Sequence, residues 1–157
     1  MLFIAIADTM KLSNNAARAV DLYPDYWLVH FGMGLAQSQK DLLQQSIATL
    51  EKTVHLSPSF SLATAILAAS YARSGDPDHA TELMEELRQR SSKQYVSAFC
   101  FAIYAAALGQ ADRMFKFLQA ALAERDPYLT PVDSEPHFDP FRSDPRYRDL
   151  LGEMNLA

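Results

Sequence analysis

Residues 59–87 read SFSLATAILAASYARSGDPDHATELMEEL, and this stretch decides the fold. Phe60, Ala63, Leu67 and Tyr71 recur at spacings of three and four, which puts them on one face of an α-helix. Ser-Gly-Asp-Pro follows. Gly75 is free to take the left-handed conformation that ends a helix. Asp76 then caps the next helix, with Pro77 at its first position, where a missing N–H costs nothing. That second helix carries Ala80, Leu83, Met84 and Leu87 on one face and Glu82, Glu85 and Glu86 elsewhere. A lone helical hairpin buries only part of its apolar surface, so the stretch predicts neighbours of its own kind.

Reading the chain against itself supplies them. Leu-Tyr-Pro ends at Pro24, Leu-Ser-Pro at Pro58 and Arg-Asp-Pro at Pro127. The first step, 58 minus 24, is 34 residues; the second, 127 minus 58, is 69, close to two such steps, with Ser92 near the missing mark. A fixed period of this size signals stacked helix–turn–helix units. Gly34, Ala68 and Ala102 take the small slot where the two helices of a hairpin cross. Gly75 and Gly109 occupy the turn. Ser46 and Ala80 take the small slot on the second helix, and Leu50, Met84 and Leu118 the large apolar one below it. Three positions depart from the pattern. Asp41 stands where the first turn would have Gly, and Met114 where the third unit would have Ala. Tyr104 to Gly109 is one residue longer than Tyr71 to Gly75, which predicts a longer or locally distorted first helix in the third unit.

The boundaries follow from the period. Residues 1–24 read as the trailing half of a unit, with Leu12, Ala16, Ala19 and Tyr23 on one stripe. Residues 25–58, 59–92 and 93–127 are three full units, and residues 128–157 a proline-rich cap and terminal helix. In the first unit Trp27, Phe31, Gly34 and Leu35 mark one helix, and Leu43, Ile47, Leu50 and Val54 the other. After Arg125 comes DPYLTPVDSEPHFDPFRSDP, too rich in proline for a regular helix. Its Ser-Asp-Pro end opens a helix with Tyr147, Leu150, Leu151 and Met154 on its apolar stripe. A stacked array needs its last unit covered. This segment suits the Phe115, Leu118 and Leu122 surface, with Phe138 and Phe141 as anchors.

Composition narrows the function. The 157 residues are 49% hydrophobic and 21% charged, enough apolar material for one continuous core. The net charge of −5, with Lys and Arg dispersed, argues against nucleic acid, which needs a concentrated basic face. Cys100 is alone, so there is no intrachain disulfide framework, and a cytoplasmic setting is expected. A periplasmic one stays open if the chain is the tail of a membrane-anchored parent. No apolar run approaches the ~18 residues needed to span a bilayer. The opening MLFIAIA lacks a positive n-region and a small-residue cleavage pattern, and reads as the start of a helix.

On these residues the chain, over about residues 12–125, resembles the tetratricopeptide repeat family. The end YVSAFCFAIYAAALGQADRMFKFLQAALAERDPYL followed by FDPFRSDPRYRDLL is similar to the C-terminal repeat tail of bacterial multidomain regulators. Those regulators carry a kinase, a winged-helix domain or a nucleotide cyclase upstream, and none of those modules is in this sequence. The resemblance implies an all-α right-handed superhelical solenoid and a partner-sensing or scaffolding role without catalysis. It also implies binding on the concave face, made by the first helix of each repeat. Here that face would comprise Leu28, Phe31, Leu35 and Gln39, then Leu62, Ala65, Ala69 and Arg73, then Tyr95, Ala98 and Ala102. The alanines serve hairpin stacking at least as well. Leu28, Phe31, Tyr95 and Arg73 are the stronger contacts. The family's carboxylate-gripping variant needs several Lys, Arg and Asn along the groove, and only Arg73 is present, so an amphipathic helix or extended apolar peptide suits the face better.

The alternative to this reading is a helical metal-binding protein or enzyme that uses the loop from Asp133 to Asp139. Asp133, Glu135, His137 and Asp139 alternate on an irregular loop and could hold a hard cation or zinc, although a solvated cap loop has the same composition. His30, His55 and His79 lie in separate elements without the spacing of a helical zinc site. No Gly-rich phosphate loop, nucleophile elbow or HExxH is present. No catalytic residue, metal ligand or cofactor is therefore assigned. The partner expected is a protein or peptide. Self-association as a scaffold piece, or a homodimer through the uncovered N-terminal helix, is the remaining arrangement the pattern allows.

Overall fold

Asp41, Gly75 and Gly109 share one backbone feature in the computed structural model, which describes residues 18–156. All three have positive φ, at 60°, 88° and 68°. The intervals, 75 minus 41 and 109 minus 75, are both 34. At each, the chain ends one helix and begins another. The N–H groups of Leu42, Asp76 and Gln110 reach back five residues to the carbonyls of Gln37, Tyr71 and Ala105, at 2.9, 3.0 and 2.9 Å. This is the closing bond of a left-handed helix terminus. Asp41 therefore does what glycine does in the other two turns, in a conformation that Asp tolerates better than most residues.

The hairpins are α1 (Trp27–Gln39) with α2 (Leu43–Leu56), α3 (Ser61–Ser74) with α4 (Pro77–Ser91), and α5 (Ala98–Ala107) with α6 (Ala111–Ala123). Residues 18–22 are also helical. The rest of residues 1–17, including MLFIAIA, Leu12 and Ala16, lies outside the described residues. Successive hairpins join through α2 against α3 and through α3 against α5. Being central, α3 is buried on every side from Leu62 to Ser70. Among the described residues the secondary structure is helical throughout, and no helix is long and apolar enough to cross a membrane.

The small slots are where helices meet. A Cβ added to Gly34 would lie 2.7 Å from Leu50 Cγ and 2.8 Å from Leu50 Cδ2. The Ser46 hydroxyl donates to the Gly34 carbonyl across the same crossing, at 2.8 Å. Ala68, Ala80 and Ala102 are fully buried. Replacing Gly34 with Ala is expected to destabilise the fold by about 1 kcal/mol net. Overpacking costs about 1–3 kcal/mol, and better helix propensity returns about 1 kcal/mol. Thermal melts of Gly34→Ala, Leu50→Ala and the double variant check this. The penalty for Gly34→Ala should vanish once Leu50 is cut back.

Two expectations need correction. The first helix of the third hairpin is neither longer nor distorted. It spans 10 residues against 13 for α1 and 14 for α3. The turn spacing is unchanged, so Ala105, not Tyr104, is the counterpart of Tyr71. The helix starts late because Ser97 caps it, its hydroxyl accepting from Phe99 N–H at 3.1 Å while donating to the Asp126 carboxylate. Tyr95 consequently lies ahead of the helix and is 62% exposed.

The second correction concerns the tail. Phe138 is fully buried, but against Phe99 of α5 rather than on α6, with ring centroids 5.6 Å apart and perpendicular. What covers α6 is the terminal helix α7 (Pro145–Glu153). Arg146 stacks 4.4 Å above the Phe115 ring and pairs with Asp112 at 2.7 Å, and Gln119 donates to Glu153 at 3.3 Å. The tail therefore covers two surfaces, one with each of its halves.

Candidate functional site

The tail has four acid–proline pairs. Asp139-Pro140 lies inside a turn, while Asp126-Pro127, Glu135-Pro136 and Asp144-Pro145 each open a turn or helix. In each case the carboxylate accepts from the backbone N–H two residues on, of Tyr128 at 2.9 Å, His137 at 3.2 Å and Arg146 at 3.0 Å. Proline fixes φ for the first turn and the acid caps it. The result is the 3-10 turns Pro127–Leu129 and Pro136–Phe141 and then α7; the turn between them, Val132–Ser134, follows Pro131 and has no side-chain cap. This turned chain faces the first helices of the hairpins.

Two clefts mark where it lies. One of about 40 Å³ is lined by Phe31, Leu35, Leu62, Ile66 and Phe99 on one side and the 131–136 stretch on the other. The second, of about 330 Å³, has Ser38, Gln39, Arg73, Ala106 and Ala107 facing Pro136, His137, Asp139 and Pro140. The chain's own tail thus packs on α5 and faces α1 and α3 across these clefts. Val132 and Phe138 are its fully buried anchors.

Polar contacts hold the stretch in place. Tyr147 of α7 donates its hydroxyl to the Val132 carbonyl at 2.7 Å. Burial, opposed by the Arg142 charge and assisted by Asp133, Asp139 and Glu135, pushes the Tyr147 phenol up to about 12, so the O–H remains a donor at neutral pH. The Arg142 guanidinium sits 5.6 Å from the centre of the same ring. It bonds Asp139 at 2.7 Å and Asp133 at 3.3 Å.

The four residues weighed as a cation site are divided by these contacts. Asp133 and Asp139 turn to Arg142. Glu135 pairs with the imidazole of His137, Nδ1 to Oε1 at 2.6 Å, with side chains only 13% and 5% exposed. Among the described residues no three such side chains are placed to share a metal ion. His30 is buried and bonds the Pro24 carbonyl through Nε2 at 2.7 Å, while His55 and His79 are exposed. Cys100 is buried in the core, and burial pushes its thiol up to about 12, which makes it a packing residue rather than a nucleophile.

The eleven residues expected on the binding face divide sharply. Phe31, Leu35, Leu62, Ala65, Ala69, Ala98 and Ala102 are buried, some in the hairpin core and some beneath the tail. Leu28 and Gln39 are half-buried. Arg73 keeps 31% of its side chain exposed, donating to the Ser38 carbonyl at 3.2 Å and pairing with Asp41 at 2.9 Å. Tyr95 is set apart near Glu124. Phe31, Leu35, Leu62, Gln39 and Arg73 line the two clefts under the tail. Ile66 and Phe99 belong with them and were missed by the sequence reading. Phe99 could have been found, because steps of 34 from Phe31 lead through Ala65 to Phe99.

No family model, curated protein or solved structure matches the chain.

Proposed function

We propose that the chain is a non-catalytic protein-interaction module, a right-handed solenoid of tetratricopeptide-type repeats that binds a peptide or partner helix on the face of α1, α3 and α5. One observation carries this reading: that face already has a proline-interrupted stretch of its own chain against it, wound into short 3-10 turns. Pro131 and Pro136 line the shared clefts and Phe138 is fully buried against Phe99. A surface suited to such a stretch within the chain has the shape and chemistry for one from outside it. Support for the repeat reading comes from the three left-handed turns at equal intervals and the small residues at each crossing. A place in the cytoplasm, in a bacterial regulatory protein, suits the module, and a lone thiol such as Cys100 is ordinary there.

The test is a peptide array followed by hydrogen-exchange mapping of the peptides that bind. Binding should protect amides around Gln39 and Arg73, and Arg73→Ala should weaken an acidic peptide by roughly tenfold, a charge-assisted bond being worth about 1.5–3 kcal/mol. Arg73 is the informative substitution because Phe31, at 1% exposure, belongs to the core and its loss would disturb the fold. Peptides that protect α2, α4 and α6 instead, with unchanged affinity for Arg73→Ala, would move the site to the opposite face.

Self-association is favoured as a second reading by the N-terminal edge, where Leu22, Tyr23 and Tyr26 are 66%, 62% and 52% exposed. Exposed apolar clusters mark interfaces. Light scattering at high micromolar concentration should then give a dimer that Leu22→Glu converts to monomer. A monomer for both would remove this reading.

A further inference from the structure

We infer that the tail stretch 131–141 is a built-in competitor for the proposed binding face, and that the partner it excludes is a proline-turned segment of the same chemistry. That chemistry is an acid followed by proline, with a phenylalanine two residues later, as in Glu135-Pro136-His137-Phe138. The inference rests on the peptide-binding reading above and specifies both its ligand class and its control.

Phe31, Leu35, Leu62, Ile66 and Phe99, each 5% exposed or less, form the helix wall of the smaller cleft, with Pro131 and Pro136 of the tail opposite. Around them, the only ionic group contributed to the two clefts by the helices is Arg73; Ser38, Gln39, Ala106 and Ala107 complete the wall. An apolar trough with one guanidinium at its end selects an apolar segment bearing a carboxylate. Within the chain, Asp139 lies in the same cleft as Arg73. Arg73 already bonds Asp41, whose side chain is 77% exposed, so the guanidinium can exchange one solvated carboxylate for another.

The tail is also built in two separable halves. The terminal helix α7 is anchored to α6 by Arg146 on Phe115, Arg146 to Asp112 and Gln119 to Glu153. The stretch over the first helices is held by Phe138 on Phe99 and by the Tyr147 hydroxyl on the Val132 carbonyl. A partner can replace the second set while the first stays in place. The trough then exchanges one occupant for another and is never left open to water, which keeps the cost of displacement low. Because the competing stretch is attached, its effective concentration is in the millimolar range typical of short flexible links, so a free peptide meets strong competition.

The probe is a fluorescein-labelled peptide with the sequence of residues 130–142, TPVDSEPHFDPFR, titrated by anisotropy against the full chain and two variants. Phe138→Ala in the chain loosens the internal stretch while the peptide keeps its phenylalanine. Tyr147→Phe removes one hydroxyl and leaves the ring, so it tests the same hold with little risk to folding. The expected result is binding at least tenfold tighter to Phe138→Ala and several-fold tighter to Tyr147→Phe than to the parent. A peptide lacking the phenylalanine should bind none of them well. Circular dichroism confirms which variants are folded, and if Phe138→Ala is not, Tyr147→Phe decides. Equal, measurable affinity for parent and folded variants would overturn the competitor while leaving the face as a peptide site. Absence of binding by every folded variant would overturn it as well; the array then judges the peptide-binding reading separately.

Discussion

Leu118→Ala is expected to remove about 2–5 kcal/mol of stability, the usual cost of emptying a packed interior position. Leu118 has no exposed surface. It lies on α6, which is packed by α5 on one side and covered by α7 on the other. A cavity there cannot close by the movement of a surface loop, so the upper part of the range applies. Domains of this size are stable by about 5–15 kcal/mol, which makes the loss a third or more of the total. Urea denaturation with an unchanged slope reads it directly. Leu108→Ala is the control. At 39% exposure on the rim of the same hairpin, Leu108 should cost well under half as much. A change below about 0.5 kcal/mol for Leu118 would sink the assignment of α6 as an inward-facing helix.

The same residue illustrates how much of the fold is written in the sequence. Leu118 follows Leu50 and Met84 in steps of 34, and all three are buried. Turn chemistry is equally legible. Gly75, Asp76 and Pro77 end one helix and start the next as their residue types require, with Asp76 accepting from His79 N–H at 3.2 Å. Asp41 shows the limit of matching by residue type. Its position in the period, rather than its identity, fixes its left-handed backbone. The third hairpin shows the converse. Tyr104 and Tyr71 share a residue type but not a place in the period, since 34 residues on from Tyr71 is Ala105. Counting from the turn puts Phe99, not Ala98, in step with Phe31 and Ala65.

The tail was legible in kind but not in direction. Its proline density rules out a regular helix, and its aromatic residues must be buried somewhere. Apolar content alone does not say which surface they cover. That is decided by geometry the sequence carries weakly, in the acid-proline pairs that open two of the turns and α7 and in the distance Phe138 is carried from the end of α6. The candidate site inherits this difficulty. The first-helix face reads in the sequence as a place for an outside partner, whereas in the structure the chain's own tail lines the same clefts.

Deleting residues 128–157 is therefore expected to do more than shorten an array by its cap. The full-length chain should give one cooperative transition; the truncated one should aggregate or lose its last hairpin. Five tail side chains, Leu129, Val132, Phe138, Tyr147 and Leu150, are 3% exposed or less. Each contributes about 1.5–3 kcal/mol of burial before the entropy of ordering the tail is set against it. Their removal also uncovers two surfaces at once, Phe115 on α6 and Phe99 with its neighbours on α5, α3 and α1. No surface salt bridge compensates for that. The Arg146–Asp112 pair, with Asp112 94% exposed, is of the solvent-screened kind that contributes little. Size-exclusion chromatography and denaturation of the truncated chain provide the measurement, and a soluble monomer of parental stability would contradict the covering role. Partial truncation separates the two halves. Ending the chain after residue 142 removes α7 and its Tyr147 bond to Val132 but keeps Phe138 on Phe99. That chain should still fold α1 to α4 while α6, uncovered, exchanges its amide hydrogens fastest. If instead α1 exchanges first, the tail stabilises the array mainly through the first-helix face and α7 serves only to hold it there.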